Sequence, residues 1–344
     1  MIQFLKDLLE SLTTALIWVR SVLFARSRLK ASFKVRIKAL RYDFTPDEYL
    51  LFGLSCNNHR RYISQGQTVK ARQFDAPFNS MLNDLVVCHE VIGQHLPTQK
   101  VFGWVGAKGQ ITNHSADCDM ADGIFSLLGQ GDVLFKWGQY GPLEAAKPTW
   151  LVKQQDGQLW LNGQVANRRD IEELLTHLDG YCALEHVETH PYVRQWGELE
   201  EHELEILVAR DPRTGQGQVI RALQHVWSDI VNNQSVEWVA NIDLETGKLY
   251  PARSTSKLGE LSQYERDGIM APIAGVEVPG WAKIREALEV ATRSLPYIRL
   301  LTYRAVVTND DFVVTGAYSL TNTTRMQLWD PLADTVFGQL AEVA

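Results

Sequence analysis

The chain has 344 residues, 45% hydrophobic and 22% charged, enough for two or three packed subdomains with ordinary cores. Its 41 acidic side chains outnumber the 34 basic ones and leave a net charge of −7, which argues against the domain-wide basic surface of a nucleic-acid binder. The four cysteines, Cys56, Cys88, Cys118 and Cys182, show no close spacing and read as reduced thiols in a cytosolic protein rather than as a disulfide framework.

Residues 1–24 carry Leu5, Leu8, Leu9, Leu12, Leu16, Val19 and Leu23 at helical spacing. Lys6, Asp7, Glu10 and Arg20 interrupt them, so no run reaches the ~20 apolar residues of a spanning helix. A basic start and a small-residue cleavage site, the marks of a signal peptide, are both missing. Residues 11–42 contain no acid but hold Arg20, Arg26, Arg28, Lys30, Lys34, Arg36, Lys38 and Arg41. Two readings stand for residues 1–41. The helix packs on the protein body or on a protein partner, or it lies on a membrane surface, at the inner face, with the basic run toward anionic headgroups.

Thr45-Pro46-Asp47-Glu48 is a capping box that starts a helix: Thr as N-cap, Pro at the first helical position, Glu three residues on. Asn79 to His95 has helical spacing through Met81, Leu85, Cys88 and Ile92. A strand over Lys100 to Val105 returns along Ile111, and Cys118 to Leu128 reads as a short helix. Asp132 to Lys136 is a buried-type strand ending in lysine. Gln155-Asp156-Gly157-Gln158 between apolar residues is a hairpin signal. Asn167 caps a helix from Arg168 to about Leu178, and Tyr181 to Val187 is the next strand. Cys182, His186 and His190 are spaced by four, as zinc ligands on a helix would be, but Gly180 and Pro191 bracket a segment too short and too β-like for one. Leu204, Ile206 and Val208 alternate as a strand does, and Gln218 to Trp227 is another strand. A helix over Ala282 to Ser294 precedes a hairpin: Ile298 to Thr308, the turn Asn309-Asp310-Asp311, then Phe312 to Tyr318. Asp330-Pro331 is the expected cap of a last helix running to Val343.

Several of these stretches share a further likeness. Asn162-Gly163, His190-Pro191, Asn241 to Leu249 (NIDLETGKL) and Ala274 to Trp281 (AGVEVPGW) resemble elements of the sugar-transfer-associated branch of the ATP-grasp superfamily. The resemblance covers Asp47 to Gln327 and implies an α+β, ATP-grasp fold of two α/β lobes around a nucleotide cleft, preceded by the basic N-terminal helical segment. The implied divisions are 1–44, an α/β region over 45–115, a small lobe over 116–190 and a large lobe over 191–344. It implies ATP and Mg²⁺ as cofactors, with Lys136 at the phosphates, Glu185 at the adenine and Gln327 as a trailing cofactor-site residue.

The positions that carry the family's chemistry depart from its pattern. Its three metal ligands, an Asp, a Glu and an Asn, fall on Arg304, Thr315 and Ala317. Its glycine-rich phosphate loop is replaced by Trp137-Gly138-Gln139-Tyr140-Gly141-Pro142, and an Asp-Lys pair becomes Asp84-Leu85. An Asn-Thr-x-Arg strand falls on His202, Glu203 and Glu205, within an acidic stretch that repels triphosphate or forms a solvated face. One reading is a non-catalytic accessory protein of surface-polysaccharide or sugar-transfer biosynthesis. The other is an active ATP- and Mg-dependent carboxylate-amine ligase with relocated metal ligands, drawn from Asp243, Glu245, Asp310 and Asp311.

Overall fold

A computed structural model describes residues 18–24, 26–71, 74–76, 78–113, 123–139, 147–196, 202–231, 234–266, 269–319 and 321–343. Residues 18–24 are helical; the rest of the expected N-terminal helix, 1–17, lies outside the described residues, as do Cys118 and residues 140–146 of the loop after Lys136. Among the described residues no helix is long and apolar enough to cross a membrane.

The strands in chain order are β1 (Val101–Val105), β2 (Ile111–Asn113), β3 (Val133–Trp137), β4 (Trp150–Gln155), β5 (Gln158–Leu161), β6 (Gln164–Ala166), β7 (Tyr181–Glu185), β8 (Leu204–Arg210), β9 (Gly217–Val231), β10 (Gln234–Asn241), β11 (Gln263–Arg266), β12 (Ile269–Pro272), β13 (Leu300–Val307) and β14 (Phe312–Tyr318). Helices and antiparallel sheets make this an α+β protein. It divides into two compact units, the first Asp75–Val219 with Val278–Thr321, the second Met1–Phe74, Ile220–Glu277 and Asn322–Ala344.

The first unit contains a seven-stranded sheet of order β2-β1-β7-β3-β4-β5-β6, antiparallel throughout. Its two tight connections are legible residue by residue. Asp156 and Gly157 have φ of 51° and 76°, and Asn162 and Gly163 have 47° and 76°, the doubly positive pattern of a hairpin turn that Asp-Gly and Asn-Gly accept at least cost. Alternation along β3 splits the strand between two cores. Val133 and Phe135 pack with Ile124, Leu127, Ile171 and Leu175 on one face. Leu134 packs with Leu85, Leu151, Cys182 and Leu184 on the other. Lys136, two residues beyond Leu134, shares this second face.

In the same unit β13 pairs antiparallel with both β8 and β14. Arg304 stands opposite Glu205 on β8 and Gly316 on β14, while Ala305 stands opposite Leu204 and Val314. Thr315 is therefore the extra residue of a β-bulge, a device that re-aims a side chain. The helix Trp281–Arg293 lies beside β8 and buries Trp281, Ile284, Leu288 and Ala291.

Two expectations need correction. The helix predicted over Asn79 to His95 is two, Asn79–Asn83 and Leu85–Ile92. Asp84 takes an extended backbone (φ −87°, ψ 122°) and its carboxylate accepts from Val87 N, so it caps the second helix instead of continuing the first. The last helix begins at Val336, not after Asp330; the Asp330 carboxylate and carbonyl instead accept from Arg221. Cys182 lies within β7 with His186 beyond its end, so no helix stacks the Cys-His-His set, and among the described residues no three His, Cys, Asp or Glu side chains gather as a metal would require.

The second unit holds the hairpins β9–β10 and β11–β12 and the helix Pro46–Leu51, whose capping box forms as expected between Thr45 and Glu48. In the NIDLETGKL stretch, Asp243 Oδ1 accepts from Glu245 N, Thr246 N and the Thr246 hydroxyl, which closes the turn.

Candidate functional site

Three side chains of the first unit meet at one carboxylate, that of Glu203. Lys136, at the end of β3, donates from Nζ to Glu203 Oε1 at 2.7 Å. The bulged Thr315 donates from Oγ1 to the same oxygen at 2.7 Å. Arg304 on β13 donates from Nη1 to Glu203 Oε2 at 3.1 Å. Glu203 lies immediately before β8, and only 7% of its side chain is exposed, against 18% for Lys136 and 30% for Arg304.

Burial alone would raise the Glu203 carboxyl. The Lys136 ammonium, the Arg304 guanidinium and the hydrogen bonds from Lys136 and Thr315 outweigh it and bring the group down to about 2. Glu203 is thus an anion at any ordinary pH, held by two cations and a hydroxyl. On the helix Leu85–Ile92, His89 is buried; burial and the Lys136 charge push it down to about 4, so it is neutral at pH 7. Glu205, buried one strand position from Leu204, accepts from Tyr318 Oη at 2.7 Å.

The positions of the expected metal ligands do not fit Mg²⁺, which takes oxygen ligands in an octahedron at about 2.0–2.1 Å. Arg304 brings a cation. The Thr315 hydroxyl is directed to Glu203. Ala317 brings a methyl group, and its N–H and carbonyl are both paired with Cys88 Sγ, at 3.1 and 3.4 Å. Burial pushes that thiol up to about 12, so it stays protonated. No chemical step through magnesium is derived from these residues.

Several of the remaining sequence-predicted positions are also engaged within the chain. Glu185 closes β7 with an exposed side chain; its N–H donates to Lys100 O at 2.9 Å and its carbonyl accepts from Gln99 Nε2 at 2.5 Å. These are the backbone groups expected to face an adenine. Gly138 serves close packing: a Cβ there would lie 2.9 Å from Gly180 O. Gln327 belongs to the second unit, where its amide accepts from Ile63 N at 2.7 Å and donates to Ile63 O at 3.2 Å. Of the relocated-ligand candidates, Asp243 is fixed in its own turn and Asp311 Oδ2 accepts from Lys283 Nζ at 2.6 Å.

Sequence reasoning missed the role of Glu203, which it placed in an acidic stretch that repels triphosphate or forms a solvated face. The hint lay in the opposite charges that the resemblance set together, Arg304 at an expected acid and Glu205 at an expected arginine, beside Lys136 at an expected phosphate lysine.

No family model and no curated protein sequence matches the chain. In structure it is similar to the ATP-grasp ligase PsnB complexed with a minimal precursor, at 12% identity and a TM-score of 0.42 over 78% of this chain and 62% of that one. It is also similar to PurK, the N5-carboxyaminoimidazole ribonucleotide synthetase in its ADP complex (11%, 0.39, 74% and 53%). A third is biotin carboxylase from Campylobacter jejuni (10%, 0.42, 76% and 46%). The chain spans about three-fifths or less of the length of these proteins.

Proposed function

We propose that the chain is an ATP-grasp-fold protein that does not run a magnesium-dependent ligase reaction and serves as a non-catalytic accessory protein in surface-polysaccharide or sugar-transfer biosynthesis. One observation carries the first part: Lys136, Arg304 and Thr315, which fall on a phosphate position and two metal positions, all bind Glu203. Phosphoryl transfer depends on cations free to neutralise the transferring group, and here they are neutralised internally. The biosynthetic setting follows from the resemblance at Asn162-Gly163, His190-Pro191, 241–249 and 274–281. Titration calorimetry with ATP, with and without Mg²⁺, tests the reading. No magnesium-dependent heat is expected. Saturable binding that requires Mg²⁺ would overturn it in favour of a ligase with relocated carboxylates.

A second reading, membrane-surface attachment, has its own observation. Phe24, Phe33 and Ile37 are 74%, 61% and 51% exposed, set among Arg20, Arg26, Arg28, Lys30, Lys34 and Lys38. Phe33 and Ile37 are one turn apart on the helix Phe33–Arg41. Apolar side chains ringed by cations suit an anionic lipid interface. The chain is expected to sediment with phosphatidylserine-containing vesicles and to lose that association when Phe33 and Ile37 are both changed to serine. Equal sedimentation of the two forms removes the reading.

A further inference from the structure

We infer that Lys136, Arg304 and Thr315 form an oxyanion site whose resident anion is the chain's own Glu203 carboxylate. The donors come from separate strands of the same unit: Lys136 from β3 of the seven-stranded sheet, Arg304 and Thr315 from the paired strands β13 and β14. They nevertheless converge on two oxygens of one group, at 2.7, 3.1 and 2.7 Å. A bulge at Thr315 aims its hydroxyl there. Such a set of ammonium, guanidinium and hydroxyl donors recognises carboxylate and phosphate oxygens alike.

Covalent attachment gives Glu203 the advantage over a free anion. A group tethered beside its site acts at a high effective concentration, on the order of millimolar or above for a short connection. A phosphate-type ligand must therefore displace Glu203 before it reaches Lys136 and Arg304. The native chain excludes such ligands from this point, and removal of the carboxylate opens it. The ligand class is an inorganic or organic phosphate, and pyrophosphate is a suitable probe because its charge exceeds that of the carboxylate it replaces.

The inference deepens the functional reading above and rests on it, but pyrophosphate tests it without adenosine or magnesium. Titration calorimetry would compare the full chain, the E203A variant and the double variant E203A/K136M at matched ionic strength. Pyrophosphate is expected to bind E203A more tightly than the native chain by on the order of tenfold or more, with the gain lost in E203A/K136M. A folded E203A that binds no better than the native chain overturns the inference, as does a native chain that binds pyrophosphate through Lys136. If E203A does not fold, it is refolded in pyrophosphate and in sodium chloride of equal ionic strength. Recovery in pyrophosphate alone supports the inference, and equal behaviour in the two salts overturns it. Magnesium-dependent ATP binding by the native chain would remove the functional reading while leaving the pyrophosphate result to be judged separately.

Discussion

Glu203→Gln is expected to destabilise the chain by about 3–5 kcal/mol at neutral pH, the usual cost of leaving a buried charge without its partner. Glutamine keeps the volume of the side chain and can still accept from Thr315, so the loss reports charge rather than packing. It leaves Lys136 and Arg304, 18% and 30% exposed, on either side of a neutral group. Lys136→Met should cost less, because Glu203 keeps Arg304 and Thr315. Urea denaturation measures both, as a fall in midpoint with unchanged slope. The pH dependence has a definite sign. The folded value, about 2, lies below the ordinary 4.5, so the stabilisation is complete above about 4.5 and is lost as pH falls toward 2. The native chain and E203Q should differ most at neutral pH and converge as the solution approaches pH 2. Equal stability of the two at pH 7 would mean that solvent screens this network as it does a surface pair.

The parts of the fold that the sequence disclosed are those decided by neighbours in the chain. Asp156-Gly157 fixes a turn because few residue pairs tolerate two positive φ values in succession. Thr45 with Glu48, and Asn167 by itself, declare helix starts because these side chains satisfy orphan amides of the first turn. The candidate site is not decided that way. Glu203 meets partners 67, 101 and 112 residues distant along the chain. Alternation placed Lys136 on a face and Leu204 in a strand, but no local pattern says which acid ends beside which base. The Thr315 bulge was hidden for the same reason, since register belongs to a strand pair and not to one strand. Asp84 and Asp330 misled in another way. Aspartate can cap a helix, interrupt one or pair with arginine, and tertiary context decides among these.

Gln327, buried and bonded to the Ile63 backbone, is expected to matter for stability. Its resemblance-based role is at a cofactor, but the side chain is 1% exposed and its amide closes both polar groups of the Ile63 backbone. A longer contact, 3.4 Å, reaches Gln327 Oε1 from Leu332 N. Gln327→Leu preserves volume and removes every one of these bonds. The Ile63 N–H and carbonyl are then left without a partner beside a residue that is itself 1% exposed, and each such group costs about 1–3 kcal/mol. The expected loss is about 2–6 kcal/mol in chemical denaturation. Gln327→Glu should be no milder, because a carboxylate can accept from Ile63 N but an ionised one cannot donate to Ile63 O, and its charge would be buried. The alternative role gives the opposite pattern. If Gln327 serves a bound nucleotide, Gln327→Leu would leave the denaturation midpoint near its native value and alter ATP titration instead. A fall in stability with an unchanged titration would identify Gln327 as a brace for the segment at Ile63.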